Sequence, residues 1–366
     1  MFINRRNWLQ QSTLALAGLT VATDVFGKGE KIYSPPSSAV LLNSNENPYG
    51  PSPLARKAIL ENYISSNRYP DDHIDLLKQK IAAHWGVGAE NILMGAGSSE
   101  IIGLTALYVS RKKKKVITAE PAYKVWNNQA TAFGLTISRT ALTADRKFDL
   151  PALAAAVDED TAMVYICNPN NPTGTVVEVP ALKNFTTEVS KKTMVFIDEA
   201  YTEYAGLESL ASLVITNKNV VVTKTFSKIY GLAGARLGYA IAHVDTINKL
   251  ASYQAWSSFS ASTVSVAAAS ASLDDSTFIK DCREKTEQAK ELCYETFRKL
   301  SLEYIPSRAN FILFSINSIK KDFIKEMEAR NIYVQFRNHF GGNWCRVTMG
   351  TIDEMNLFCS TLKAII

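Results

Sequence analysis

Residues 225–239 decide the fold, and they read TFSKIYGLAGARLGY. They continue an apolar run, residues 220–223, whose β-branched composition is typical of a buried strand. Lys228 stands between hydroxyl residues and glycines, and Arg236 follows a few positions later. A lysine amine condenses with aldehydes, and a planar guanidinium pairs with phosphate. The stretch therefore predicts a site at a strand's end that holds a phosphorylated aldehyde.

Outward from this stretch, short apolar runs alternate with segments of helical periodicity. The predicted helices are residues 53–62, 74–85, 100–109 and 150–157. The predicted strands are residues 92–94, 116–118, 162–167, 194–197 and 220–223. Buried runs between helices are typical of parallel strands, so we predict an α/β fold with a large, doubly wound, mostly parallel sheet.

A helix-rich segment, residues 248–300, leads into a smaller α+β tail. Its predicted elements are strands at 311–315, 332–336 and 344–349, a helix at 319–330, and a last helix from Asp353. The predicted domains are an N-terminal arm at 31–65 that joins the small domain, a large domain at 66–270, and the small domain at 271–366.

Composition excludes several classes of protein. The chain has 366 residues, 46% of them hydrophobic, and a net charge of +5 with both signs mixed, which does not indicate nucleic-acid binding. The five cysteines show no paired spacing, and the four histidines show no metal-ligand spacing. We therefore expect neither a disulfide framework nor a metal site.

The first thirty residues are set apart from the fold. A pair of arginines, Arg5 and Arg6, precedes Trp8, Leu9 and a mildly apolar stretch at 14–22. This pattern resembles a twin-arginine export signal, and it is too short and too weakly apolar for a stable membrane span. We expect residues 1–30 to direct export, with a periplasmic location. The alternative is an amphipathic N-terminal helix on a cytoplasmic protein.

Polar side chains follow two further predicted strands. Asp198 ends the run at 194–197, with Tyr201 three positions on, and Asn171 lies just after the run at 162–167. Ligands of open α/β sheets bind at the carboxyl ends of strands. There an aspartate can pair with a protonated ring nitrogen, and the tyrosine and the amide can bond a ring oxygen. A solvated turn is the ordinary interpretation of each motif taken alone.

A glycine-rich turn, residues 95–100, follows the strand at 92–94 and opens a helix. Free backbone N–H groups at a helix N-terminus bind phosphate, which makes Ser98 and Ser99 candidate phosphate contacts. The plainer interpretation is a capped helix start with Ser98 as the N-cap.

Together these segments resemble the fold-type I, class I/II aminotransferases, and most of all the histidinol-phosphate aminotransferase family. The matching segments run in family order to the C-terminus. They are residues 45–51, 68–71, 97–100, 121–123, 171–174, 198–201, 225–239 and 346–351. The resemblance implies an enzyme that depends on pyridoxal 5′-phosphate and moves an amino group from an amino acid or an amino-alcohol phosphate to a 2-oxo acid.

The resemblance also implies roles for the catalytic residues. Lys228 would carry the cofactor as a Schiff base and move the substrate's α-proton. Asp198 would hold the ring nitrogen. Tyr201 and Asn171 would bond the ring oxygen, and Tyr123 would stack on the ring.

Phosphate, substrate and partner contacts are implied in the same way. The cofactor's phosphate would be held by Ser98, Ser99, Thr225, Ser227 and Arg236. Tyr69 would reach that phosphate from a partner subunit, so a homodimer is expected. Arg346 would clamp the substrate carboxylate, and Asn47 would contact the substrate.

One position departs from the family. Histidinol-phosphate aminotransferases carry an arginine for the substrate's phosphate where this chain has Gln335. Arg337 lies two residues later, so on a strand it faces the same side and is a candidate replacement.

Two alternative functions stay open at this point. A decarboxylase or lyase of the same fold, such as an O-phospho-amino-acid decarboxylase, would share the cofactor pocket. A non-enzymatic sensor usually adds a DNA-binding module, for which residues before Leu41 offer little length.

Overall fold

The structure is a computed structural model that describes residues 39–257 and 261–366. The predicted export signal at 1–30 and the start of the predicted arm lie outside the described residues. Within the described ranges, no helix combines the length and the apolar character needed to cross a membrane.

The helices begin and end as follows. They are α1 (Pro53–Asn62), α2 (Asp71–Trp85), α3 (Ser98–Ser110), α4 (Lys124–Ala132), α5 (Leu150–Ala155), α6 (Val179–Val189), α7 (Thr202–Ala205), α8 (Val244–Ala251), α9 (Thr263–Ser272), α10 (Ser276–Lys299), α11 (Phe323–Glu328) and α12 (Ile352–Ile365).

The strands lie between them. They are β1 (Val40–Leu41), β2 (Ile92–Gly95), β3 (Lys115–Glu120), β4 (Thr136–Ala141), β5 (Thr161–Cys167), β6 (Met194–Asp198), β7 (Val220–Thr225), β8 (Gly238–Ala242), β9 (Tyr304–Ile305), β10 (Phe311–Ser315), β11 (Ile332–Tyr333), β12 (Gln335–His339) and β13 (Gly342–Thr348).

A seven-stranded sheet, in the order β2-β8-β7-β6-β5-β3-β4, forms the large layer. β8 is antiparallel to both of its neighbours, β2 and β7, and all the other strand pairs of this sheet are parallel. The prediction of an α/β fold with a mostly parallel sheet is confirmed. Two of its strands, β4 and β8, were not predicted from the sequence.

The C-terminal part builds a four-stranded antiparallel sheet in the order β12-β13-β10-β9. The prediction of a single strand at 332–336 is wrong, because the chain divides at Val334. β11 pairs in parallel with β1, and β12 pairs with β13.

The predicted helix at 319–330 is also too long. It begins only at Phe323, because the Asp322 side chain caps it by accepting a hydrogen bond from the Lys325 N–H. The remaining predicted helices and strands agree with the structure to within a few residues at their ends.

Residues 40–366 form one compact unit. Inside it, apolar side chains form two main clusters, one around the large sheet and one between the small sheet, β1, α10 and α12. The predicted domain boundaries after residues 65 and 270 stay a prediction.

The central strands of the large sheet place the candidate residues next to one another. In register, Cys167 of β5 lies beside Asp198 of β6, which lies beside Thr223 of β7. These strands are buried along almost their whole length, because helices cover both faces as in other parallel sheets. Their carboxyl ends therefore meet at one rigid edge.

Candidate active site

A cavity of about 370 Å³ opens at this edge. Six of the residues predicted from the sequence line it: Tyr123, Asn171, Tyr201, Lys228, Arg337 and Arg346. Its volume lies in the range of small-molecule sites, which is roughly 300–1,000 Å³. The cavity is therefore the candidate active site.

Lys228 lies in the loop after β7 and points its amine into the cavity. Its Nζ donates to the Ser44 carbonyl over 3.3 Å and lies 5.8 Å from the centre of the Tyr201 ring. Burial, together with the nearby Arg346 guanidinium, lowers the pKa of this amine to about 8. A lysine with such a pKa is partly neutral near pH 7.5 and can act as a nucleophile or a base.

Asp198 is a buried carboxylate at the end of β6. Its Oδ2 accepts a hydrogen bond from the Tyr165 hydroxyl over 2.9 Å, and its Oδ1 accepts one from the Ala200 N–H over 3.2 Å. Burial raises its pKa to about 6, although Tyr165, Ala200 and the Lys228 charge oppose the rise. Because it has no ion-pair partner in the part of the chain that the structure describes, this buried carboxylate is suited to a cationic ligand group.

Tyr201 is held by two amides. Its hydroxyl oxygen accepts from Asn45 Nδ2 over 3.0 Å and from Asn171 Nδ2 over 3.1 Å. Burial raises the pKa of the phenol, and the Arg346 charge opposes that rise. With both amides donating to its oxygen, the hydroxyl hydrogen is available to a ligand oxygen.

Arg346 on β13 joins the small sheet to this group. Its Nη1 donates to Asn171 Oδ1 over 2.8 Å, and its Nη2 donates to the Asn43 carbonyl over 2.9 Å. Its buried Nε has no partner in the described part of the chain. Because the guanidinium is charged and has spare donors, it can bind a ligand carboxylate.

Thr225, Ser227 and Arg236 meet the first turn of α3. Arg236 Nη1 donates to Ser227 Oγ over 3.5 Å, and the Ser227 N–H donates to Thr225 Oγ1 over 3.0 Å. Gly97 has a φ of 77°, and a Cβ there would lie 2.7 Å from Arg236 Nη2. The positive φ favours glycine at this position, and the lack of a Cβ leaves room for the guanidinium.

The backbone of the same turn adds hydrogen-bond donors. The first N–H groups of α3, including those of Ser98 and Ser99, have no acceptor within the helix. The interpretation of Ser98 as the N-cap is wrong, since Gly97 is the cap and the helix begins at Ser98. Free N–H groups, two hydroxyls and a guanidinium together form a cradle for a phosphate.

Four further side chains line the cavity, and we call them the basic cluster: Lys124, Gln335, Arg337 and His339. The three from β12 lie on one face, as predicted for Gln335 and Arg337. Gln335 Oε1 is buried without a partner in the described residues. Burial, together with the Arg337 and Lys124 charges, lowers the pKa of His339 to about 4.

Two predicted residues lie elsewhere. The buried Asn47 amide donates to the Ile229 carbonyl over 2.7 Å, so it fixes the loop that carries Lys228. Tyr69 is 74% exposed and packs edge-on against Trp256. Their predicted contacts with substrate and with a partner's cofactor stay predictions.

Sequence reasoning missed several residues of the site. Tyr165 lay hidden in an apolar strand, and Asn45 in a turn-forming segment. Lys124 and His339 belong to segments far apart in sequence that only the fold brings together.

Comparison with known proteins agrees with this geometry. The family Aminotransferase class I and II matches residues 37–362. A histidinol-phosphate aminotransferase from Moorella thermoacetica is 35% identical over 89% of this chain and 85% of its own length. The solved histidinol-phosphate aminotransferase from Sinorhizobium meliloti, in complex with pyridoxal-5′-phosphate, has a TM-score of 0.82, 28% identity, and coverage of 89% and 90% of the two chains.

A solved L-threonine-O-3-phosphate decarboxylase from Porphyromonas gingivalis covers 89% of this chain and 98% of its own, with a TM-score of 0.77 and 20% identity. At that identity the likeness extends to the fold alone. The chain therefore belongs to the class I and II aminotransferase family, within which it is similar to histidinol-phosphate aminotransferases over nearly its whole described length.

Proposed function

We propose that this aminotransferase moves an amino group between a donor with an anionic far end and a 2-oxo acid. The donor is an amino acid or an amino-alcohol phosphate of the histidinol-phosphate kind. One observation carries the proposal: the cavity that the Lys228 amine lines is also lined by the basic side chains Lys124 and Arg337. No Asp or Glu is found among the described residues that line it.

The cofactor is pyridoxal 5′-phosphate, and the residues present fit it. The phosphate cradle lies at Gly97, whose lack of a Cβ leaves room for Arg236. The buried Asp198, which has no ion pair among the described residues, suits a ring nitrogen. When bound, the cofactor withdraws electrons from the substrate's α-carbon.

The chain's own residues then supply binding and proton transfer. Lys228 Nζ, whose pKa is lowered to about 8, removes and returns the proton at the substrate's α-carbon. Asp198 keeps the ring nitrogen charged, Tyr201 donates to the ring oxygen, and Asn171 fixes Tyr201. Arg346 binds the carboxylate of the 2-oxo acid.

The basic cluster selects the donor. Burial and the charges of Arg337 and Lys124 together hold the pKa of His339 at about 4. A phosphate or carboxylate of the donor would therefore meet two basic side chains and a neutral imidazole.

A spectral screen tests this proposal. The holoenzyme is mixed with amino donors in matched pairs, phosphorylated and dephosphorylated, and loss of the lysine-bound cofactor's absorbance is followed. We expect phosphorylated donors to react at lower concentration. Equal responses within each pair would overturn the proposal that the donor has an anionic far end.

A matched pair of variants locates that effect. Arg337→Gln is expected to raise the KM of phosphorylated donors about tenfold or more, as for a lost charge-assisted hydrogen bond. Arg330→Gln, which removes a surface charge paired with Glu326, serves as the control. Equal KM values in the two variants would exclude a role for Arg337.

The decarboxylase alternative is not favoured by the relatives. The two reactions differ in what becomes of the cofactor. A transaminase is converted to the amino form of the cofactor by donor alone, whereas a decarboxylase releases carbon dioxide and returns to its starting spectrum.

A homodimer is part of the proposal. Tyr69 packs against Trp256, and both side chains are exposed, as are those of Tyr63 and Ile64 a few residues before Tyr69. Exposed apolar groups of this kind favour association. Light scattering is expected to give a dimer mass, and Tyr69→Phe is expected to weaken cofactor binding. A monomer with full activity would contradict both.

Export through the twin-arginine route is also proposed, supported by Arg5 and Arg6 in the sequence. That route carries folded proteins, so the cofactor would be loaded before export. Cell fractionation of the full chain is expected to find it in the periplasm, and a variant with both arginines changed to lysine in the cytoplasm. A wild-type chain that stays cytoplasmic with Met1 intact would end this part of the proposal.

A further inference from the structure

A second lysine near the site, Lys224, is completely buried on β7. Its side chain is 1% exposed, and its Nζ lies 2.8 Å from Glu203 Oε1 and 3.2 Å from Glu199 Oε2. Burial alone would lower its pKa, but the two carboxylates outweigh burial and raise it above the ordinary value. Lys224 is therefore a permanent cation held between two acids.

Both acids are neighbours of residues that line or complete the active site. Glu199 directly follows Asp198, and Glu203 lies in α7, the short helix that begins after Tyr201. Glu199 is itself fixed, because its carboxylate accepts from Ser209 Oγ over 2.6 Å and from the Leu210 N–H over 2.8 Å. One ammonium group thus connects β7 with the end of β6 and with the turn that carries Tyr201.

The lysine does this from outside the cavity. Lys224 is not among the described residues that line the active-site cavity. Its Nζ lies 4.1 Å from the centre of the Trp85 ring, and Trp85 and Glu203 line a separate cavity of about 400 Å³. No contact with cofactor or substrate can therefore explain the triad of Lys224, Glu199 and Glu203.

Stability explains the triad poorly as well. Taking three charges out of water carries a desolvation cost that their attraction only partly offsets, and apolar replacements of buried ion pairs are often no less stable. What a buried ion network can provide is a fixed geometry, because each charge tolerates few alternative positions. Here the groups so fixed are the backbone at Asp198 and at Tyr201.

We infer that Lys224 is a positioning residue: through Glu199 and Glu203 it holds Asp198 and Tyr201 at the places where they contact the cofactor ring. The inference rests on the proposed roles of those two residues. It assigns a function in the reaction to a lysine that touches neither cofactor nor substrate.

Lys224→Met in the full chain tests the inference, because methionine fills similar space without charge. We expect the dissociation constant of pyridoxal 5′-phosphate to rise about tenfold to a hundredfold, as for lost outer-shell partners. We also expect kcat per bound cofactor to fall while the KM for the donor stays nearly unchanged. A defect of folding alone would reduce the amount of holoenzyme but would leave both quantities per site unaltered.

Lys290→Met is the matched control. Lys290 is equally buried at 1% exposure, and its Nζ donates to the Ser307 carbonyl over 2.8 Å and pairs with Glu287. This variant is expected to lower the melting temperature without changing cofactor affinity or kcat per site. If Lys224→Met behaves in the same way, the positioning role is refuted.

If Lys224→Met does not fold, Glu203→Gln decides the question. Glutamine keeps an acceptor near Lys224, and the position borders a cavity, so the fold should tolerate it. We expect a smaller rise in the cofactor's dissociation constant, and a wild-type value would overturn the inference. Failure of the proposed function would look different, since the wild-type enzyme itself would then not transaminate.

Discussion

Two lysines lie near the end of β7, Lys224 on the strand and Lys228 in the loop after it, and they differ in their chemistry. Lys224 is completely buried between Glu199 and Glu203, which raise its pKa. Lys228 is only partly buried and donates to a backbone carbonyl, and burial lowers its pKa to about 8. A buried lysine becomes a structural cation or a nucleophile according to whether carboxylates accompany it.

The difference extends to the carboxylates. Glu199 and Glu203 both form ion pairs with Lys224. Asp198 forms no ion pair within 4.0 Å among the described residues, and it accepts hydrogen bonds from Tyr165 and Ala200 instead. One lysine, Lys228, and one carboxylate, Asp198, are therefore available to a ligand at the ends of adjacent strands. Those are the two groups that a cofactor with an aldehyde and a basic ring nitrogen needs.

The largest expected effect comes from Lys228→Ala. Because the nucleophile and base is removed, we expect kcat to fall by about four orders of magnitude or more. Lys224 remains in this variant and is expected to give no rescue, since its amine is charged and paired. Steady-state kinetics with a reactive donor measures the loss, and substantial residual turnover would erase the distinction between the two lysines.

Asp198→Asn is expected to come next. An amide cannot balance the charge of a protonated ring nitrogen, so we predict a loss of about 10²- to 10³-fold in kcat, similar to the removal of other preorganised electrostatic groups. Circular dichroism serves as the folding check. A loss below tenfold in a folded variant would mean that Asp198 is not the carboxylate that holds the ring nitrogen.

The pH dependence of the rate at which the apoprotein binds the cofactor distinguishes Lys228 from Lys224, because their amines have different pKa values. Only a neutral amine attacks an aldehyde, and the neutral fraction of Lys228 rises about tenfold per pH unit until its pKa near 8. We therefore expect the rate of loading by the apoprotein to rise from pH 6.5 and to level off above about pH 8. A rate that climbs steadily to pH 10 would indicate an ordinary lysine.

The smallest effect is expected for Tyr165→Phe. The hydroxyl donates to Asp198 and lowers its pKa, so its removal raises that pKa further and leaves less carboxylate at neutral pH. The loss of one such hydrogen bond corresponds to a change of about threefold to tenfold in cofactor affinity. Equilibrium binding at pH 7 and pH 8.5 measures it, and the deficit should be smaller at the higher pH.

Much of the fold could be predicted from local sequence. Buried strands are recognisable in the sequence as continuous apolar runs, and β5, β6 and β7 were all predicted. The edge strand β4 was missed because its side chains are mostly polar and only partly buried, and β8 because it follows directly on the glycine-rich loop. The helix at 319–330 was overextended because the cap at Asp322 outweighs the apolar periodicity before it.

The site divides in the same way. Lys228, Asp198 and Asn171 follow strands in recognisable motifs, and the fold brings them to one edge. Pairing could not be predicted, because sequence alone does not say that Lys224 rather than Lys228 meets the two glutamates. The basic cluster was only partly predicted, since Lys124 joins Arg337 and His339 from a distant segment.

Reduction of the holoenzyme with borohydride, followed by peptide mass mapping, shows which lysine carries the cofactor. The reagent fixes the cofactor to that lysine. We predict the phosphopyridoxyl group on Lys228 and an unmodified Lys224. A label on Lys224, or on any lysine outside the active-site cavity, would contradict this prediction.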